Sequence, residues 1–106
     1  MLQGTIIRGT TPIHEIEVPY PIEIIKDIRF VYGQKNKTVF VKQKEECNIQ
    51  EGVATITLTQ EETLSFVPNK NVDIEIRIKL TDGQVVRNEE PISLKVIDTC
   101  DEEIME

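Results

Sequence analysis

One histidine, His14, two cysteines, Cys47 and Cys100, and three adjacent carboxylate pairs, Glu45-Glu46, Glu61-Glu62 and Glu89-Glu90, are the side chains with which this chain could do chemistry. Nucleophilic catalysis needs a base held beside its Ser or Cys, and zinc sites gather several His and Cys ligands. A lone histidine in an alternating stretch serves neither, so His14 reads as a structural or surface residue. Cys47 sits in Lys44-Glu45-Glu46-Cys47-Asn48, where two neighbouring acids raise a thiol pKa and work against an activated nucleophile. Paired carboxylates do acid and base work only when one is desolvated. All three pairs fall in polar loop or turn segments and read as solvated charge. Asp98-Thr99-Cys100-Asp101-Glu102-Glu103 offers hard oxygens to calcium but lacks the glycine-pinned spacing of a calcium loop. Five scattered glycines form no phosphate cradle. The reading is therefore non-enzymatic, with no catalytic residue, no metal ligand and no cofactor.

The segments that must carry these residues are extended. Residues 72 to 80 read Val72-Asp73-Ile74-Glu75-Ile76-Arg77-Ile78-Lys79-Leu80. A strand turns successive side chains to opposite faces, so five apolar residues share one side while Asp73, Glu75, Arg77 and Lys79 share the other. The dry side predicts burial. The charged side, with mixed signs, is the candidate surface for a protein partner. Asp82-Gly83 follows and predicts a tight hairpin with positive backbone angles.

Elsewhere the same period of two recurs. Thr5 to Arg8 and Ile13 to Val18 are short strands separated by Gly9-Thr10-Thr11-Pro12, and Pro19-Tyr20-Pro21 ends the second, which reads as an edge strand. Ile25 to Tyr32 and Thr38 to Lys42 form a hairpin across the polar loop at residues 33 to 37. Residues 43 to 52 are polar and read as a connection, after which Val53 to Leu58 alternates again. Thr59-Gln60-Glu61-Glu62 has the form of a capping box and predicts at most one short helical turn near 59–64. Leu64 and Phe66 are expected in the core, Gln84 to Arg87 forms a short strand, and Ile92 to Ile97 the last. Phe30, Tyr32, Phe40 and Phe66 fall at strand or core positions, which leaves Tyr20, with Tyr32 and loop amides, for any carbohydrate or peptide platform at one end.

Seven to eight strands at this spacing, without long helical periods, predict an all-β, immunoglobulin-like antiparallel sandwich in one domain, residues 1–97. Residues 98–106 carry five acids and no base and read as a frayed acidic tail. The formal net charge is −7, and no basic stripe is available to neutralise phosphates, so nucleic acid and anionic membranes are excluded as principal partners. The opening Met1-Leu2-Gln3-Gly4-Thr5 is no signal peptide, and no apolar run reaches the roughly 18 to 20 residues of a membrane span. This predicts synthesis in the cytoplasm and, with only two cysteines, reduced thiols rather than a disulfide framework.

From Thr59 to Val96 the order is a polar turn, Phe66-Val67-Pro68, an alternating strand, Asp82-Gly83, a short strand, and Ile92-Ser93-Leu94-Lys95-Val96. That order resembles the immunoglobulin-like modules in tail and baseplate proteins of phages of Gram-positive bacteria, of the type at the N-terminus of baseplate upper proteins. With Arg8-Gly9-Thr10-Thr11-Pro12-Ile13 the whole chain is also similar to small proteins from prophage regions. The resemblance implies a virion component, in the tail, the baseplate or as a capsid accessory, made in the host cytoplasm and joined to other virion proteins in a homo-oligomer or symmetric assembly. It carries over no active-site residue.

Overall fold

The computed structural model describes residues 4–106, so the reading made on Met1-Leu2-Gln3 lies outside the described residues. Among them are nine strands: β1 (Thr5–Ile7), β2 (Ile13–Glu17), β3 (Ile25–Gln34), β4 (Lys37–Gln43), β5 (Asn48–Gln50), β6 (Val53–Thr57), β7 (Asn71–Leu80), β8 (Val85–Arg87) and β9 (Ile92–Ile97). A single α-helix, α1, spans Gln60–Leu64. One sheet runs β1-β9-β7-β3-β4, with β8 also on β7, and the other runs β2-β6-β5. The order of the strands, with β2 and β6 facing β3, β7 and β9, is that of an immunoglobulin-like sandwich. All pairs are antiparallel except β1 with β9, which are parallel. The exception arises because the chain enters along the β9 edge and only then crosses to the second sheet.

Each change of sheet passes through a turn with its own hydrogen bonds. Between β6 and β7, Thr59 Oγ1 accepts from the Glu62 N–H at 3.1 Å and Glu62 Oε1 accepts from the Thr59 N–H at 2.8 Å, the expected capping box. Between β4 and β5 a one-turn 3-10 helix, Lys44–Glu46, is capped the same way by Gln43 and Glu46. A second such turn, Ile22–Ile24, joins β2 to β3. Neither 3-10 turn carries an apolar periodicity by which it could be foreseen. Strand β5 lies in the segment expected to be a polar connection; it is only three residues long, with two exposed side chains.

The hairpin between β3 and β4 is tighter than the expected loop at residues 33 to 37. Gln34 faces Lys37, and the two residues between, Lys35 and Asn36, have φ of 51° and 62°. Glu51 and Gly52 do the same between Gln50 and Val53, at 52° and 78°. Both are two-residue turns with both centres left-handed, matching the twist of their strands. After β7 only Gly83 has positive φ, 93°. Gly83 N–H donates to the Leu80 carbonyl and Leu80 N–H to the Gln84 carbonyl. This is the expected tight hairpin, closed by a three-residue loop with a glycine bulge, in which Gly83 but not Asp82 takes a positive angle.

The core lies between the sheets. Val72, Ile74, Ile76, Ile78 and Leu80 are all buried, with Ile28, Phe30 and Tyr32 of β3 and Ile16, Ala54 and Ile56 opposite. No cysteine bridges the sheets; Cys47 and Cys100 are free. An aromatic cluster fills one end of the core instead, with the Tyr32 ring 4.8 Å from Phe40, Phe40 5.4 Å from Phe66, and His14 5.8 Å from Tyr32 between ring centroids. Such contacts add to burial because ring edges and faces carry opposite partial charge.

Three polar residues are buried with partners that the sequence does not bring near them. Gln34, expected in a polar loop, donates from Nε2 to the Val67 carbonyl and accepts the Val67 N–H at Oε1, at 2.9 and 2.8 Å. Lys42 is 6% exposed and its Nζ meets Glu62 Oε2 at 2.8 Å. Thr63 donates to the Thr10 carbonyl and accepts the Gly9 N–H, which fixes α1 to the turn between β1 and β2. Residues 98–106 form no regular element yet are not frayed. Arg8 Nη1 and Nη2 reach Asp98 and Glu102 at 2.6 and 2.8 Å, and the Gln60 amide bonds both the carbonyl and the N–H of Met105. Gln60 and Arg8 supply the donors that the acidic composition of the segment lacks.

Candidate interaction face

The exposed side of the larger sheet collects what the strand alternation turns away from the core. On β7, Asp73, Glu75, Arg77 and Lys79 point outward as expected. β7 is central, paired with β3 along most of its length and with β9 then β8 on its other side. In the gap between β8 and β9, Asn88 takes the place of a strand residue. Its Oδ1 accepts the Ile76 N–H at 3.0 Å and its N–H donates to the Ile76 carbonyl at 3.4 Å. The central strand of the face is therefore paired on both sides, which holds its side chains in a fixed row.

Those rows divide the four β7 residues. Asp73 accepts from Ser93 Oγ at 2.5 Å and is half-buried. Glu75 meets Arg87 Nη1 at 3.1 Å and Arg77 Nε at 3.9 Å. Together with Val31, Gly33, Lys37 and Thr38, Asp73, Glu75 and Arg87 line a hollow of about 430 Å³. Arg77 faces Arg29 of β3 directly on one side and Arg87 of β8 on the other, and Lys79 faces Asp27 and Val85. A second hollow, about 220 Å³, lies around Asp27, Arg29, Gln43, Arg77, Lys79 and Val85. Sequence reasoning missed Arg29, Arg87, Asp27 and Ser93, because their place beside β7 depends on non-local register. Only their outward parity was available in the sequence.

Glu89 lines the larger hollow of this face, whereas His14, Cys47 and Glu62 lie away from it, near Tyr32. His14 is 4% exposed, its Nδ1 2.8 Å from the Tyr32 hydroxyl. Burial lowers its pKa, leaving a neutral imidazole whose Nδ1 shares a hydrogen bond with the Tyr32 hydroxyl, the donor being set by the tautomer. Burial likewise pushes the Tyr32 hydroxyl far above its usual range, helped by Cys47 and Glu62. Tyr32 is fully buried and cannot be a surface contact for carbohydrate or peptide, which corrects that expectation. Cys47 is raised by burial, then Glu46, with Glu45 adding to them and Lys42 opposing. Burial pulls Glu62 upward, but Lys42 and the Thr59 N–H outweigh it and hold the carboxyl below its ordinary range. Glu46 and Glu62 are thus helix caps. Glu89 and Glu90 are exposed. Among the described residues no three His, Cys, Asp or Glu side chains converge as metal ligands, and no helix is long and apolar enough to cross a membrane.

No family model matches this chain, and no curated protein matches it. Among solved structures it is similar to the V domain of amphioxus IgVJ-C2, at 9% identity over 92% of this chain and 98% of that one, with a TM-score of 0.39. That likeness bears on neither partner nor activity. The immunoglobulin-like description rests on the strand order and pairing set out above.

Proposed function

We propose that this chain is a non-catalytic structural component of a phage particle, in the tail, the baseplate or as a capsid accessory, acting by protein–protein assembly through the outer face of its larger sheet. The observation that carries the assembly role is that face itself: charged side chains of both signs in rows across β3, the central β7 and β8, with two adjoining hollows. A rigid, polar, grooved surface pays little ordering cost on contact. The phage setting is supported by the sequence order from Thr59 to Val96 and by Arg8-Gly9-Thr10-Thr11-Pro12-Ile13. The face holds Asp27, Asp73 and Glu75 among its arginines, which suits a protein partner better than a phosphate backbone.

Mass spectrometry of purified particles, induced from a host that carries the gene, is expected to find the chain at a fixed ratio to a major tail or capsid protein. Particles that lack it altogether remove the proposal. Recognition of a carbohydrate or peptide by the isolated domain is the other reading. With Tyr32 buried, it keeps loop amides and Tyr20, half-buried beside Ile22 and Ile49 at a hollow of about 280 Å³, and a glycan and peptide screen that finds saturable binding there would favour it.

A further inference from the structure

Three arginines stand side by side across the outer face. Arg29 of β3 is the register partner of Arg77 of β7, and Arg77 is the register partner of Arg87 of β8. Like charges directly opposite one another are unfavourable, and neighbouring strands are only about 4.8 Å apart. One carboxylate, Glu75, serves two members of the row, at 3.1 Å from Arg87 and 3.9 Å from Arg77. Arg29 has no ion pair among the described residues, and it lines the smaller hollow with Arg77 and Lys79, while Arg87 lines the larger one. Asp27, opposite Lys79, is the one acid among the described residues that lines the smaller hollow; Asp73 and Glu89 line the larger one with Glu75 and Arg87. In a chain of net charge −7 the smaller hollow, with three cations and one acid in its lining, is a local excess of positive charge.

The same chain holds an acidic segment without enough counter-charge. Of the five acids in residues 98–106, Asp98 and Glu102 pair with Arg8, while Asp101, Glu103 and Glu106 have no ion pair and are exposed. Between the last two stand Ile104 and Met105, 42% and 79% exposed, and beside the arginine row stands Val85, 55% exposed. An acid, two apolar residues and an acid thus complement a cation-rimmed hollow with an apolar wall. The two features cannot meet within one molecule. The segment leaves β9 beyond Lys95, the partner of Asn71, and is tied down at Arg8 and Gln60. Arg77 lies six residues further along β7, about 20 Å away at a strand's rise per residue.

We propose that residues 101–106 of one copy dock over the Arg29–Arg77–Arg87 row of the next, making a head-to-tail contact between copies. Such a contact is heterologous, so it propagates into a ring or a filament rather than closing a dimer. It rests on the assembly reading above and names the partner of that face as the chain itself. Its strength depends on salt, because the paired groups are exposed.

Sedimentation velocity over a concentration series is the test, using the intact chain, a chain ending at Cys100, and a chain carrying Arg29→Glu and Arg77→Glu, with Arg29→Gln and Arg77→Gln as a milder pair. The intact chain is expected to self-associate, with affinity falling about tenfold or more between 0.05 and 0.5 M salt. Each variant alone is expected to be monomeric. Mixed, the truncated chain and the arginine variant each keep one half of the contact and are expected to form a 1:1 complex and no larger species. An intact chain that stays monomeric at low salt, a truncated chain that still self-associates, or a mixture that fails to pair overturns the proposal. A monomeric chain still found in particles overturns this contact and leaves the assembly role; self-association by a chain absent from particles does the reverse.

Discussion

On β7 the two faces of one strand answer to different demands. Inward, five apolar side chains are buried against Phe30, Tyr32 and the β2-β6 sheet. Outward, two acids and two bases stand among Asp27, Arg29, Arg87 and Ser93. The inner face has its polar groups settled internally: Tyr32 with His14, Gln34 with Val67, Lys42 with Glu62. The outer face is left with like charges in register and one carboxylate shared by two arginines. Arg8 sharpens the contrast. It is nearly buried and met by Asp98, Glu102 and the Leu64 carbonyl, as an arginine is when it holds a fold together. Its hydrogen bond to Asp98 comes first among the causes that raise its pKa.

The largest break in this contrast is a cavity on the inner side. Ile74→Ala removes a fully buried side chain from the centre of the sandwich and is expected to cost about 2 to 5 kcal/mol by urea unfolding. A cost near that of a surface change would mean that the sheets are not packed at Ile74. Next comes the Lys42–Glu62 pair. Glu62→Gln keeps part of the cap but leaves the Lys42 ammonium nearly buried without its counter-charge, for about 1 to 3 kcal/mol. The loss should shrink in a Lys42→Met, Glu62→Gln double variant, since the stranded charge is then gone.

The pH profile separates the inner polar pairs from each other. His14 has a folded pKa below its ordinary 6.5 because burial opposes its charge, so the unfolded chain binds this proton first as pH falls. Stability from this group is full above about 6.5 and is lost below it. Glu62 has a folded pKa below its ordinary 4.5, so its contribution persists until the pH falls past that value. Thermal unfolding between pH 7.5 and 5 is therefore expected to show a fall that His14→Gln flattens and Glu62→Gln leaves in place.

How much of this was legible in the sequence follows from which forces are local. The buried face of β7 was, because alternation is a property of one strand, and the Thr59–Glu62 capping box was, because its partners are three residues apart. Lys42 was not, since the carboxylate that lets it be buried lies twenty residues on. Gln34 reads as turn chemistry until Val67 is brought to it. The ordered segment after Ile97 was hidden in the same way, because its anchors, Arg8 and Gln60, come from distant parts of the chain. For the candidate face, the four residues of β7 could be foreseen, but the row that gives them meaning could not. Arg29 and Arg87 are placed by the register of β3 and β8, and nothing in the sequence near Arg77 encodes it.

The smallest expected effect discriminates best between a face shaped by stability and one shaped by contact. Arg29 is exposed, has no ion pair among the described residues and faces another arginine directly. If the row contributed to folding, Arg29→Gln would lower the urea midpoint. Like charges in register oppose the fold instead, so the substitution is expected to leave stability unchanged or raise it by about 0.2 to 1 kcal/mol, with an unaltered slope. Arg87→Gln, which also gives up the Glu75 pair, is expected to come out nearer zero, since an exposed ion pair contributes only about 0.2 to 1 kcal/mol. A clear loss at Arg29 would put the row on the same footing as Arg8, a part of the scaffold. A gain there would mean that the isolated chain holds this side chain at a cost, one that only a bound anion relieves.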